Sequence, residues 1–134
     1  MINMEEITGK IINYLTGKFS VTAVYIYGSV SKKNDNEKSD MDIAVMFDNA
    51  VSALDLYSAA RDLECITGKD IDLADFLNSS TILKKEILKN NNLIYCGNDD
   101  KRVFYEMTAI NDYQYLNEKR RMIIKERYGE MPWM

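Results

Sequence analysis

Histidine is absent from this chain of 134 residues, and cysteine is scarce. Without histidine, Ser-His-Asp triads, histidine general bases and histidine-ligated zinc are excluded. The two cysteines, Cys65 and Cys96, stand far apart in the sequence. This spacing does not support a CxxC redox pair or a cysteine zinc site, and both are predicted to be small buried side chains. Catalysis would therefore depend on carboxylates, Lys or Arg, hydroxyl groups and a hard metal ion.

Positive charge is also in short supply, since 17 Lys and Arg face 21 Asp and Glu, for a net charge of -4. Such a chain is not suited to coat nucleic acid by neutralising phosphates, so no direct nucleic-acid partner is expected. No apolar run approaches the roughly 20 residues of a membrane span. The first ten residues include Glu5 and Glu6 and lack the apolar core of a signal peptide. We therefore expect a cytoplasmic protein with no membrane partner.

Apolar spacing and turn residues predict an α/β (α+β) fold with a small mixed β-sheet flanked by helices and a long C-terminal helix. We expect a single domain over 1–134, with a core at about 20–97 and a helical extension at about 99–128. A helix over 51–67 joins the strands at 41–47 and 71–76 directly, so these two strands are predicted to be parallel.

The long C-terminal helix is predicted to begin at a cap formed by Asp99 or Asp100. Six of its side chains are expected to face the core: Val103, Phe104, Met107, Ile110, Tyr113 and Leu116. Its second half is rich in Tyr, Lys and Arg. Two interpretations stay open for that half: a solvated basic end that complements the helix dipole, or a docking surface for a protein partner.

Carboxylates follow two of the predicted strands. Asp40 and Asp42 alternate along the second strand, so they share one face with their Cα atoms about 7 Å apart. Two negative charges on one strand face repel each other unless a cation lies between them. On the third strand, Asp72 or Asp70 can complete the cluster if the two strands are neighbours about 4.8 Å apart. Carboxylate oxygens suit Mg²⁺, and two such ions can clamp a nucleotidyl transfer.

A Gly-Ser pair stands at the end of the first strand. Gly28 allows backbone N–H groups to approach an anion closely, and the Ser29 hydroxyl adds a donor. Lys32 and Lys33 follow as positive charges for the outer phosphates. The pattern predicts that this turn holds a triphosphate and that the carboxylates hold the metal ions that bridge to it.

The stretch GSVSKKNDNEKSDMD, a Gly-Ser pair followed after ten residues by Asp-x-Asp, resembles the signature of the DNA polymerase β-like nucleotidyltransferases. IDLADF resembles the segment that carries the third catalytic carboxylate of that superfamily, which would be Asp72, although Asp70 and Asp75 stand close by. The small size and the long last helix are similar to the minimal nucleotidyltransferases. More narrowly, the chain resembles, over roughly residues 20–125, the adenylyltransferase antitoxins of two-gene toxin–antitoxin pairs.

The resemblance implies two Mg²⁺ ions and ATP as the donor of AMP. The implied catalytic residues, which would also be the metal ligands, are Asp40, Asp42 and Asp72. Asp40 and Asp42 would bridge both ions, and Asp72 would bind the catalytic ion. The implied nucleotide-binding residues are Gly28, Ser29 and Lys32. The implied acceptor is a tyrosine hydroxyl on a partner, a HEPN-domain ribonuclease toxin, which the modification would silence.

Two alternatives are kept: a small-molecule nucleotidyltransferase of the antibiotic-modifying type, and a non-catalytic neutralising partner. The short chain leaves little room for the extra substrate-binding domain of the first, and a pure binder has no need for clustered carboxylates. A homo-oligomer and a hetero-oligomer both stay open.

Overall fold

The computed structural model describes residues 4–28 and 40–129. In chain order its elements are α1 (Met4–Lys18), β1 (Val21–Tyr27), β2 (Met41–Phe47), α2 (Ala53–Thr67), β3 (Ile71–Asp75), a 3-10 turn (Phe76–Asn78), α3 (Thr81–Lys89), β4 (Asn92–Cys96) and α4 (Asp99–Tyr128). The helix that joins β2 to β3 and the long last helix were both predicted from the sequence. No helix in the described ranges is both long enough and apolar enough to cross a membrane.

The four strands form one mixed sheet in the order β3-β2-β1-β4. β1 is antiparallel to β2 and to β4, whereas β2 and β3 are parallel. The parallel pair is the predicted one, because α2 returns the chain to the end of the sheet where β2 began. β3 and β4 are the two edge strands, and this places the aspartates of β3 at an open edge.

Helices cover both faces of the sheet. On one face α1 and α2 pack against β1 and β2 through residues such as Leu15, Ile43 and Leu63, which are fully buried. The other face carries Asp42 at its end, and from Ala44 onwards it forms a second core layer beneath α3 and α4. Asp42 therefore lies where a buried layer of side chains gives way to solvent.

Helix α4 is fastened to the sheet by polar side chains. The Tyr25 hydroxyl, which is fully buried, donates a hydrogen bond of 2.6 Å to Glu106. Arg102 donates to the other oxygen of Glu106 at 3.0 Å. The face of α4 that packs inward therefore carries Arg102, Glu106 and Ala109, and of these only Ala109 is a buried apolar residue.

Three details of the sequence prediction were wrong. The cap of α4 is Asn98, whose side chain accepts from the N–H of Lys101 at 3.0 Å, and is neither Asp99 nor Asp100. Four of the six α4 side chains expected in the core are exposed: Val103, Phe104, Met107 and Ile110. The polar anchor at Glu106 turns that apolar face outward. Cys65 is exposed and Cys96 half-buried, so neither is a core residue.

Candidate active site

Three side chains form a row across the end of the sheet. Tyr27 on β1 is the register partner of Asp42 on β2, and Asp42 is the register partner of Asp72 on β3. Register partners on neighbouring strands point to the same face and lie about 4.8 Å apart at the backbone. The structure therefore brings Asp42 and Asp72 together, as the sequence predicted for neighbouring strands.

Exposure increases along this row toward the edge of the sheet. Tyr27 is buried, Asp42 is half-buried, and Asp72 on the edge strand is exposed. Asp40 precedes β2 and is also exposed. Asp72 and Asp40 are therefore the more accessible of the three carboxylates, and Asp42 is the least exposed.

Burial and negative neighbours raise the pKa of the Asp42 carboxyl above its ordinary value. Burial is the largest cause, followed by the charge of Asp72 and then that of Asp40. Desolvation and like charges both disfavour the ionised carboxylate, so ionised Asp42 is destabilised by its surroundings when no cation is present. The charge of Asp40 thus adds a smaller contribution to the effect of Asp72 on Asp42.

Asp70 was the alternative third carboxylate, and the register separates it from Asp72. The Asp70 carbonyl accepts a hydrogen bond of 2.8 Å from the N–H of Met41, at the start of both strands. Its side chain is exposed, and Asp72, not Asp70, stands opposite Asp42. The geometry favours Asp72 as the partner of Asp42, and its role as a metal ligand stays a prediction.

Sequence reasoning did not find Tyr27. Its ring is buried, and the pKa of its phenol is raised to about 12, first by burial and then by the charges of Asp42 and Asp72. The phenol therefore stays neutral at physiological pH and walls off the inner side of the carboxylates. In the sequence, the indication that Tyr27 belongs to the site was its position directly before Gly28.

Gly28 is required by its contact with Asp42. Its φ is 78°, in the left-handed region that side chains other than glycine rarely adopt. A Cβ at this position would lie 2.5 Å from Oδ2 of Asp42, well inside van der Waals contact. The backbone of the turn can thus approach the carboxylate only because residue 28 is glycine. Ser29 and Lys32, the other predicted nucleotide-binding residues, lie outside the described residues.

The donor set fits a metal ion that shares its ligands with a substrate. Within residues 4–28 and 40–129, no group of three or more His, Cys, Asp or Glu side chains is placed to hold an ion by itself. Mg²⁺ usually binds through one or two carboxylates and completes its shell with waters and substrate phosphates. The Asp42–Asp72 pair with Asp40 beside it fits that pattern, and a cation there would relieve the mutual repulsion.

Comparison with known families matches residues 9–100 to the family described as "Polymerase beta, Nucleotidyltransferase". The match spans the whole row Tyr27–Asp42–Asp72 and ends at the start of α4.

Two curated proteins are similar to the chain. The protein adenylyltransferase MntA of Shewanella oneidensis is 28% identical over 103 residues, which are 77% of this chain and 73% of that protein. A protein of Methanocaldococcus jannaschii, provisionally named a protein adenylyltransferase, is 37% identical over 87 residues, 65% of this chain and 92% of that protein.

Solved structures resemble the chain along most of its length. A toxin–antitoxin crystal structure with AMP-PNP contains a chain that is 26% identical, with a TM-score of 0.80 and coverage of 89% of this chain and 96% of that one. A tri-AMPylated Shewanella oneidensis HEPN toxin in complex with the MNT antitoxin gives a TM-score of 0.77 at 24% identity, with coverage of 91% and 96%. The second likeness is one of fold.

Proposed function

The chain belongs to the polymerase β nucleotidyltransferase family, and from that premise we propose that it transfers AMP from ATP to a tyrosine hydroxyl of a partner HEPN-domain toxin. The transfer would silence the partner, so the chain would act as an antitoxin. Support for AMP as the transferred group comes from the two curated relatives, both named for protein adenylylation. Support for a HEPN partner comes from the solved complexes that share the fold.

The observation that carries the proposal is the pairing of Asp42 with Asp72 beside Gly28. A pair of carboxylates on rigid strands, one half-buried and one exposed, destabilises the free protein. Such an arrangement persists when it serves a function, because a structural role would be better met by neutral side chains. Gly28 lies close to Asp42, so a phosphate bound by the backbone of this turn would lie next to the same carboxylate.

Asp40, Asp42 and Asp72 would hold the divalent ions. When bound, such ions neutralise the charge of the phosphates and lower the pKa of an acceptor hydroxyl. The half-buried Asp42 would keep a fixed position, since its carboxylate fills the space above Gly28. Ser29 and Lys32 are proposed to hold the triphosphate from the other side.

Asp72 is proposed to accept the proton of the acceptor phenol. The phenol oxygen would form a bond to the α-phosphorus, and the bond from that phosphorus to the bridging oxygen of the β-phosphate would break, releasing pyrophosphate. A free tyrosine has a pKa near 10, so removal of its proton is a modest task for a carboxylate next to a divalent ion. The exposure of Asp72 leaves room for an incoming hydroxyl.

The position of Asp72 also favours a large acceptor. Asp72 lies on an edge strand and is exposed, and in the described residues no further layer of structure covers it. A small acceptor usually needs a pocket that encloses most of its surface. An acceptor that brings its own protein surface can instead reach an open edge. This observation favours a protein acceptor over an antibiotic.

The test is to incubate the chain with ATP, Mg²⁺ and the HEPN-domain product of the neighbouring gene and to weigh that partner by intact mass spectrometry. We expect mass increments of one or more AMP units, located on tyrosine by fragmentation, and loss of the partner's ribonuclease activity. An Asp42→Asn variant is the control for contaminating activities. An unmodified partner together with AMP transfer to a small hydroxyl compound would move the function to the small-molecule class. A partner that is silenced without any change in mass would make the chain a neutralising binder.

A further inference from the structure

One face of α4 turns away from the sheet and carries a regular series of side chains. Its members are spaced alternately four and three residues apart, as in the contact face of a coiled coil: Val103, Met107, Ile110, Gln114, Asn117 and Arg121. We call this series the α4 seam. Its first half is apolar and its second half is polar.

The described part of the chain leaves the apolar half of the seam uncovered. Val103, Met107 and Ile110 are 42%, 59% and 42% exposed. Each follows directly after a residue of the inward face, so the seam lies about 100° around the helix from the contacts to the sheet. The polar half lines an open hollow of about 400 Å³ together with Glu118. Three large apolar side chains in two helical turns beside a polar hollow are typical of a surface that receives another helix.

Segments of the chain outside the described residues are poorly suited to cover the apolar half. Residues 130–134 follow the end of α4 and span at most about 17 Å when extended. The distance along the helix from Gly129 to Ile110 is about 28 Å at 1.5 Å per residue. The segment 29–39 contains a single apolar residue, Val30, and cannot match three large apolar side chains. Residues 1–3 precede α1, whose buried side chains lie in the core on the other face of the sheet. None of these three segments is therefore suited to cover the apolar half.

We propose that the α4 seam docks an amphipathic helix of the acceptor protein and so sets the orientation of that protein at the active site. The proposal rests on the proposed function, because the occupant is the protein that receives AMP. Its support is the rigid link between the seam and the site. Glu106, which directly precedes Met107 on α4, accepts a hydrogen bond from the Tyr25 hydroxyl. Tyr25 lies two residues before Tyr27 on β1. A helix held on the seam is thus at a fixed distance from the Asp42–Asp72 pair.

The test compares two variants that make the same change on opposite sides of α4. Ile110→Glu places a charge in the seam, and Ile123→Glu places the same charge at an exposed apolar position outside it, where Ile123 is 50% exposed against 42% for Ile110. The milder variant Met107→Ala is added in case the new charge disturbs folding. Three quantities are measured: affinity for the HEPN-domain product of the neighbouring gene, AMP transfer to it, and the rise in melting temperature with Mg²⁺ and ATP alone.

We expect Ile110→Glu to weaken partner binding at least tenfold, Met107→Ala to weaken it in the same direction, and Ile123→Glu to leave it unchanged. All three variants should keep the response to Mg²⁺ and ATP, because none of them touches the carboxylates. Equal binding by Ile110→Glu and the unaltered chain would overturn the docking proposal and leave the proposed function standing. A third outcome is that the unaltered chain binds the partner without modifying it and that Ile110→Glu loses this binding. That result would support the docking proposal and overturn the proposed AMP transfer. A self-association of the free chain that only Ile110→Glu abolishes would assign the seam to a second copy instead.

Discussion

Replacing Asp42 with Asn should change the stability of the protein in opposite directions in the absence and in the presence of its ligands. The pKa of Asp42 is raised by burial and by the charges of Asp72 and Asp40, so the ionised carboxylate is less favourable in the folded state than in the unfolded state. Removing that charge should stabilise the free protein. It should also remove the group on which Mg²⁺ and ATP are proposed to depend, so the stabilisation by these ligands should be lost.

The size of the first effect follows from the register of β2 and β3. Carboxylates about 5 Å apart, close to the spacing of adjacent strands, repel by about 0.8 kcal/mol at a water-like dielectric constant of about 80 and by about 3.3 kcal/mol at about 20. The half-buried position of Asp42 lies between these limits, so relief of about 1–3 kcal/mol is expected. For a chain of this length, that corresponds to a rise of roughly 3–10 °C in melting temperature.

The sign of the pH dependence distinguishes this cause from others. Because the folded-state pKa is raised, the cost of ionised Asp42 is absent below the ordinary Asp value of 3.8, develops as the pH rises through the folded-state pKa, and is complete above it. The melting temperatures of the unaltered chain and of Asp42→Asn should therefore coincide in acid and separate toward neutral pH.

Thermal unfolding followed by circular dichroism, with and without Mg²⁺ and ATP, measures both effects. A ligand at 100 times its dissociation constant stabilises the folded state by about 2.7 kcal/mol, so the response of the unaltered chain should be easily detected. Asp112→Asn, an exposed change on α4 with the same effect on net charge, is the matched control and should respond as the unaltered chain does. A lower melting temperature for free Asp42→Asn, or an undiminished response to Mg²⁺ and ATP, would refute this account of the site.

Three further predictions concern single contacts. Asp72→Asn should reduce AMP transfer at least about 100-fold and largely keep ATP affinity, whereas Asp70→Asn should retain transfer. The reverse pattern in transfer assays would show that Asp70 is the third catalytic carboxylate. Gly28→Ala should destabilise the protein by about 1–3 kcal/mol in urea unfolding, because residue 28 has a positive φ and a Cβ there would collide with Asp42. The control Gly9→Ala, in open space within α1, should instead stabilise the protein by about 0.5–1 kcal/mol. Tyr25→Phe should cost about 1–3 kcal/mol through loss of the hydrogen bond to Glu106, and an unchanged urea midpoint would show that this bond does not hold α4.

The sequence by itself determined the order of the elements and the face on which the carboxylates lie. Side chains alternate along a strand, so Asp40 and Asp42 had to point the same way wherever β2 was placed. Two neighbouring strands that are joined by a single helix are parallel. The aspartates near the start of β2 and of β3 therefore lie at the same end of the sheet. These are local rules that depend on spacing alone.

Only the tertiary structure decided which aspartates meet and which side of α4 is covered. The register that places Asp72 opposite Asp42 is set by the packing of α2 on the sheet, and a shift of one residue would have sent Asp72 to the other face. The contact of Gly28 with Asp42 joins residues separated by a long polar segment. On α4, the hydrogen bond that fixes the inward face joins Tyr25 and Glu106, which are 81 positions apart. A rule that depends on the spacing of neighbouring apolar residues could not reveal it.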